Sequence, residues 1–281
     1  MIDVALTTDG SALDLTPDDR ILREALEARG LSVSVLPWSL ESYDWSTVRL
    51  VMPRGLPQRP SPETARAMDD WLGRAQELSS PVNPIRLTRW AAHARSFGDL
   101  ASAGFHVAST ACFEQGASVD LSEECSSRGA ASVVVGPALR HGGERRRFGL
   151  DEMEEAQVEL ESRLQASEVS LTFDPPLGER GRVRSLVYVE GGFSHAVSAI
   201  PGEPSSLDAV LPREDEIALA RSVLEAAPGE AIYARLDIAR DHEDRPCLVE
   251  FDVQDGPLHF EWGEDSAHRL AGSLFARLAR E

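Results

Sequence analysis

Residues 233–252, YARLDIARDHEDRPCLVEFD, decide how this chain is read. Two apolar runs, 231–239 and 246–253, flank the polar turn 240–245, the pattern of a paired strand ribbon. On a strand, residues i and i+2 share a face. Glu250 and Asp252 therefore project together, and Asp237 on the partner strand can join them. Three carboxylates on one sheet face repel one another unless a cation lies between them, and Mg²⁺ suits such an all-oxygen set, usually completed by substrate phosphates. Without the cation, mutual repulsion should raise at least one carboxyl pKa. The plain alternative is a solvated sheet face on which alternating acids do nothing more.

Working outward, residues 183–189 and 193–200 alternate as strands around Glu190-Gly191-Gly192, a hairpin signal. Helices are expected over 213–227 and from 266 to the end. The amino-terminal part alternates strand (3–7), helix, strand (31–37), strand (48–52) and helix (61–77). Its first helix opens on Thr16, Pro17, Asp18 and Asp19, a cap followed by an acidic first turn. This order implies a parallel sheet covered by helices. A turn-rich connector at 81–86 suggests a boundary. Beyond it come an expected helix (92–102), strands at 105–108 and 132–135, a glycine-rich loop over 136–149, a helix over 150–166 and a strand at 169–173. That loop carries Arg140, Arg145, Arg146 and Arg147. The expected organisation is α/β with α+β lobes, divided 1–85, 86–176 and 177–281.

Composition narrows the function. Forty-seven acids against 28 bases give a net charge of −19, a field that repels nucleic acid. No apolar run approaches the ~18 residues that a membrane span needs. The start, MIDVALTTDG, lacks the basic patch and apolar run of a signal peptide, so a cytoplasmic protein is expected. Cys112, Cys125 and Cys247 are too scattered for a disulfide framework or a Cys-x-x-Cys metal site. All 28 bases are arginine, which rules out a lysine Schiff base and a P-loop lysine.

The run 233–252 resembles the carboxy-terminal signature of the ATP-grasp superfamily, whose Asp, and then Glu-x-Asn/Asp/Glu on the next strand, hold Mg²⁺ against ATP. The hairpin 184–200, RSLVYVEGGFSHAVSAI, is similar to the strand pair before it in glutathione-synthetase-like members. Residues 18–54 resemble their amino-terminal substrate domain, and 80–90, SPVNPIRLTRW, their lead-in to the nucleotide domain. The order of these segments also matches. The nearest type is the small ligases of natural-product and amino-acid-derived antibiotic pathways, which includes the cycloserine-forming cyclo-ligase. The resemblance implies an amino-terminal βα substrate-binding domain, a small lid and a carboxy-terminal lobe, with the cleft between the last two. It implies ATP and Mg²⁺ as cofactors, and a carboxylate joined to an amine through an acyl phosphate. Asp237, Glu250 and Asp252 match the metal positions, and Arg235 a basic residue facing phosphate or the acyl group. Arg54, Asn83 and His195 resemble positions near the substrate. An ion pair of Arg235 with Asp237 or Glu250, and a core or surface role for His195, are the plainer readings.

The chain also departs from the family. Where members carry a lysine after Arg-Trp, this chain has AAHARSF with Ala94 near that place, and Val-Val-Lys-Pro is replaced by Val135-Gly136-Pro137. An acid expected before Ser-Leu-Val is Val183, and an aromatic-acid motif after Arg54 is replaced by GLPQRP. Arg95, or Arg145, Arg146 and Arg147, could supply the missing positive charge as nucleotide-binding residues, although arginine is not interchangeable with lysine. The expected function is thus an ATP-dependent ligase for an amino-acid-like small molecule, with an altered nucleotide site and a homodimer as the candidate assembly. The alternatives are a repurposed fold that no longer uses ATP, and a pseudoenzyme that binds a small molecule or a partner protein.

Overall fold

The computed structural model describes residues 1–10, 15–40, 42–55, 61–139, 143–175 and 181–280, with three sheets. Strands β1 (Ile2–Thr8), β2 (Val33–Pro37), β3 (Val48–Pro53) and β4 (Ser80–Pro81) form a parallel sheet in the order β2-β1-β3-β4. Helix α1 (Pro17–Ala28) starts where the Thr16 hydroxyl accepts the Asp19 N–H at 3.1 Å. Pro17 follows at the first helical position, where its missing N–H is not needed. The helix buries Leu22, Ala25 and Leu26 on the β1 face that carries Val4 and Leu6. Helix α2 (Pro62–Leu78) covers the opposite face, where Trp71 packs against Trp45 and Trp38 at 5.4 and 6.2 Å between ring centroids.

Helices α3 (Ile85–Ala92) and α4 (Arg95–Ser102) come next, so a helix begins inside the stretch expected to be a connector. The helix expected over 92–102 breaks at His93, whose extended backbone (φ −102°, ψ 133°) leaves the Ala94 N–H to bond Ala138 O at 2.7 Å. The middle sheet is antiparallel, with β5 (Thr110–Phe113), β6 (Ser132–Pro137), β7 (Arg146–Gly149) and β8 (Val169–Phe173) in the order β5-β8-β6-β7. Helices α5 (Leu121–Arg128) and α6 (Met153–Ala166) pack on one face of it. The strand expected at 105–108 reduces to a single bridge between Val107 and Leu248, and β5 begins two residues later. The expected loop 136–149 contains β7, because Arg146 and Arg147 pair with Val135 and Val134 of β6. A partner strand, not the residues' own propensity, makes that segment extended. Residues 56–60 of the GLPQRP segment, and Arg140, lie outside the described residues.

The third sheet is antiparallel in the order β11-β10-β9-β12-β13, from β9 (Val183–Val189), β10 (Gly192–Ile200), β11 (Glu203–Ala209), β12 (Tyr233–Arg240) and β13 (Pro246–Asp252). One face carries Leu186, Tyr188, Leu236 and Phe251 onto α3, α4 and α7 (Glu214–Ala226). The closing helix α8 (Ser266–Leu278) crosses back to the first sheet, where Leu270, Ala271 and Leu274 join Leu22 and Leu26 of α1. Val187 and Tyr233, on the other face of the third sheet, enter the same core. No helix among the described residues is long and apolar enough to cross a membrane.

Candidate functional site

Strand pairing gathers the acids. In the register of β12 on β13, Asp237 lies opposite Glu250 and Arg235 opposite Asp252. Ser185 of β9 extends the first pair into a row, and Val187 of β9 and His195 of β10 extend the second. Directly paired residues share a face, so all four charged side chains project from one face of the sheet. The register shifts after Asp237, where Ile238 pairs with Leu248 and leaves Val249 as an extra residue. Such bulges re-aim side chains beside functional sites.

Arg235 lies within this group. Its Nε is 3.0 Å from Asp237 Oδ1, with the two side chains 13 % and 17 % exposed. The ion pair is therefore present, as the plainer reading of Arg235 expected. Neither atom has a hydrogen-bond partner, although both are buried. Burial works against the charge of Arg235, but Asp237, Asp252, Glu250 and Asp255 hold its pKa above the ordinary guanidinium value. Asp237 is pushed up from the usual carboxylate range, first by burial and then by Glu250 and Asp252, while Arg235 and the Ser185 hydroxyl pull it back. One carboxyl pKa is thus raised, with burial rather than repulsion as the larger cause.

Among the described residues, no three His, Cys, Asp or Glu side chains form a ready metal cage. Asp252 is 4 % exposed and its Oδ1 accepts the Gln254 N–H at 2.7 Å. What remains is an orphaned Asp237 oxygen directly across from Glu250. This is a hard-oxygen pair of the kind that holds Mg²⁺ together with substrate phosphates, so the donor set fits the ion.

The three expected substrate residues do other work. Arg54 is 1 % exposed; its Nε donates to Asp19 at 2.5 Å, its Nη1 to Gly256 O at 3.1 Å and its Nη2 to Asp18 at 3.4 Å. Asn83, 3 % exposed, donates from Nδ2 to Tyr233 O and Val253 O, and its Oδ1 accepts the Ile232 N–H. His195 is 8 % exposed, with Nε2 at 2.9 Å from Leu258 O and Nδ1 at 3.0 Å from Ser194 Oγ. Burial lowers its pKa, against hydrogen bonds to the backbone of Leu258 and His259. Together they fix the segment after β13, to which Arg235 also donates, at Pro257 O (3.2 Å).

Sequence reasoning missed two contributors to that segment. Asp18, read only as a helix-start acid, accepts the N–H groups of Leu258 at 2.7 Å and Phe260 at 2.6 Å. Between them His259 takes the left-handed conformation (φ 53°), uncommon for a residue with a side chain. Its imidazole is pushed down to about 4 by burial first and then by Arg235, His195 and Arg54. A chain position 240 residues from Leu258 carries no local signal of this contact, and a left-handed histidine has none either.

The four candidate nucleotide arginines separate. Arg95 pairs with Glu168 at 2.6 Å and lines a groove with Arg66, Gln115 and Leu139. Arg146 points to the α6 face, onto Glu155 (2.7 Å) and Glu159 (3.4 Å) and over the Phe148 ring. Arg147 is exposed and donates to Pro175 O at 3.2 Å. Arg145 alone reaches a cavity of about 110 Å³ between the middle sheet and Val249 of β13. Arg146 is therefore separated from Arg145 and Arg147, because alternate residues of a strand face opposite ways.

Known proteins share this fold. A family model described as D-cycloserine synthetase DcsG, N-terminal domain, matches residues 4–58. The cycloserine biosynthesis protein DcsG of Streptomyces lavendulae is 26 % identical over 307 aligned positions, covering 98 % of each chain. The crystal structure of D-cycloserine synthetase DcsG aligns with a TM-score of 0.86 at 25 % identity, over 98 % of this chain and 99 % of that one. D-alanine–D-alanine ligase from Bacillus anthracis shares the fold, with a TM-score of 0.65 at 10 % identity over 100 % of this chain and 98 % of that one. The ATP-grasp ligase PsnB, solved with a precursor peptide and AMPPNP, does so at 0.65 and 14 % over 99 % and 98 %. Over nearly its full length, the chain therefore shares the fold of known ATP-grasp ligases.

Proposed function

We propose that this protein is an ATP-dependent carboxylate–amine ligase acting on an amino-acid-like small molecule in natural-product biosynthesis. The observation that carries the reading is the charged pair of rows, Asp237–Glu250 and Arg235–Asp252, on one sheet face of this fold. The cycloserine relative, similar over 98 % of the chain, supports the substrate class.

In the reaction, a substrate carboxylate oxygen attacks the γ-phosphorus of ATP and ADP leaves. The amine then attacks the acyl carbon, inorganic phosphate leaves, and the amine proton passes to solvent. Asp237 and Glu250 would hold Mg²⁺, with Asp252, whose Oδ1 accepts the Gln254 N–H, beside them on the same face. Bound Mg²⁺ neutralises phosphate charge. Arg235, kept charged by four carboxylates and fixed to Pro257 O, faces the phosphoryl group in transfer. A pre-oriented cation there stabilises charge as it develops without reorganisation cost. Arg54, Asn83 and His195 act through the segment after β13, holding it against Arg235.

Calorimetric titration with Mg-ATP and with ADP tests the reading, followed by phosphate release with a panel of amino acids. Nucleotide binding that requires Asp237 and Glu250 supports it. No nucleotide binding refutes it and leaves the repurposed or non-catalytic alternatives.

A further inference from the structure

The face of the middle sheet turned away from α5 and α6 is built from Thr110, Thr172, Val134 and the bare backbone of Gly136. Opposite it lie Ala94, Phe97 and the bulged Val249, and the cavity between them holds about 110 Å³. That is well below the roughly 300–1,000 Å³ of a whole-ligand site, so the cavity takes one end of a larger molecule. Its walls are apolar or hydroxylic, and among the described residues that line it Arg145 is the single cation.

The path of Arg145 is fixed by what residue 136 lacks. A Cβ built on Gly136 would stand 2.7 Å from Arg145 Cγ, 3.5 Å from its Cβ and 3.6 Å from its Cδ. Real side chains do not approach that closely, so the stem of Arg145 occupies the space where any side chain at 136 would begin. Arg146 is drawn away to Glu155, while Arg147, on the same strand face as Arg145, is held by Pro175 O in the cavity wall.

We infer that Arg145 is the nucleotide-holding cation of this protein, with a purine ring in the apolar slot, its phosphates on the guanidinium, and Gly136 as the obligate partner that lets Arg145 in. The inference rests on the ATP-dependent reading above and adds to it the residue and the steric coupling. A planar guanidinium presents a fixed fork of N–H donors to phosphate and can stack flat on a ring, whereas a lysine ammonium acts as a compact point charge.

The test is calorimetry with Mg-ATP on the full chain and on five variants, the single Arg145→Ala among them. Arg145→Met keeps the hydrocarbon stem over Gly136 and removes the charge. It should bind about tenfold to a hundredfold more weakly, the worth of one charge-assisted contact. Gly136→Lys alone should weaken binding, because its stem collides with Arg145. Gly136→Lys combined with Arg145→Ala should restore affinity to within a few fold of the unaltered protein, since the new stem enters the vacated channel. Arg146→Ala should change affinity less than twofold. Unaltered affinity in Arg145→Met overturns the assignment while the ligase reading stands. A double variant no tighter than Arg145→Ala overturns the coupling with Gly136. No Mg-ATP binding by the unaltered protein overturns the ligase reading itself, and this inference with it.

Discussion

Replacing Asn83 by alanine should damage the fold far more than its small size suggests. Its Nδ2 donates to Tyr233 O at 2.9 Å and Val253 O at 2.7 Å, and its Oδ1 accepts the Ile232 N–H at 2.7 Å. Tyr233 and Val253 are 1 % and 2 % exposed, so water cannot replace the lost donor at their carbonyls. A buried polar group left unpaired costs roughly 1–3 kcal/mol. Two such carbonyls, plus a partly hydrated Ile232 N–H, make the expected loss about 3–5 kcal/mol, a large share of the 5–15 kcal/mol typical of folded domains. Asn83→Asp should be no milder, because it keeps the acceptor but sets a carboxylate against two carbonyl oxygens. Urea unfolding followed by circular dichroism reads the loss directly. Mg-ATP affinity, measured by calorimetry in folded Asn83→Ala, should fall as well, because the segment after β13 that fixes Arg235 loses a tie at Val253 O. A loss below about 1 kcal/mol would show that these carbonyls find other partners, and would refute the reasoning.

Three further outcomes are expected. Asp237→Asn should abolish Mg-ATP binding in calorimetry yet cost less than about 1 kcal/mol of stability in urea, because burial and the Glu250 and Asp252 charges already disfavour the ionised form. Gly256→Ala should weaken nucleotide binding and destabilise by about 1–3 kcal/mol, the usual cost of overpacking, because a Cβ there stands 2.7 Å from Arg235 Nη1. His259 has a folded pKa of about 4 against 6.5, so the unfolded chain binds the extra proton. Its contribution is present above pH 6.5 and is lost as the pH falls toward 4. The stability of His259→Gln between pH 4 and 6.5 should accordingly fall less steeply than that of the unaltered protein, and parallel curves would count against it.

The sequence by itself determined the elements with strong period or strong punctuation. The Thr16-Pro17 start of α1, the Glu190-Gly191-Gly192 hairpin and the β12–β13 ribbon are local patterns, set by capping, turn chemistry and alternation within a few residues. Alternation also put Glu250 and Asp252 on one face before any fold was known. What only the tertiary structure decided are properties of pairs far apart in the chain. Strand β7 exists because β6 pairs with it, and β11 because β10 does. Helix α8 packs on α1 across the full length of the chain, and Asp18 reaches Leu258 and Phe260. Arg54 and Asn83 resemble positions near the substrate in sequence, and the structure buries both against backbone from the carboxy-terminal part of the chain. The same holds for Arg145, whose path beside β6 depends on the missing Cβ of Gly136. Burial and hydrogen-bond partnership depend on which surfaces meet, and a linear pattern fixes the face a residue takes on its own element but not what that face will touch.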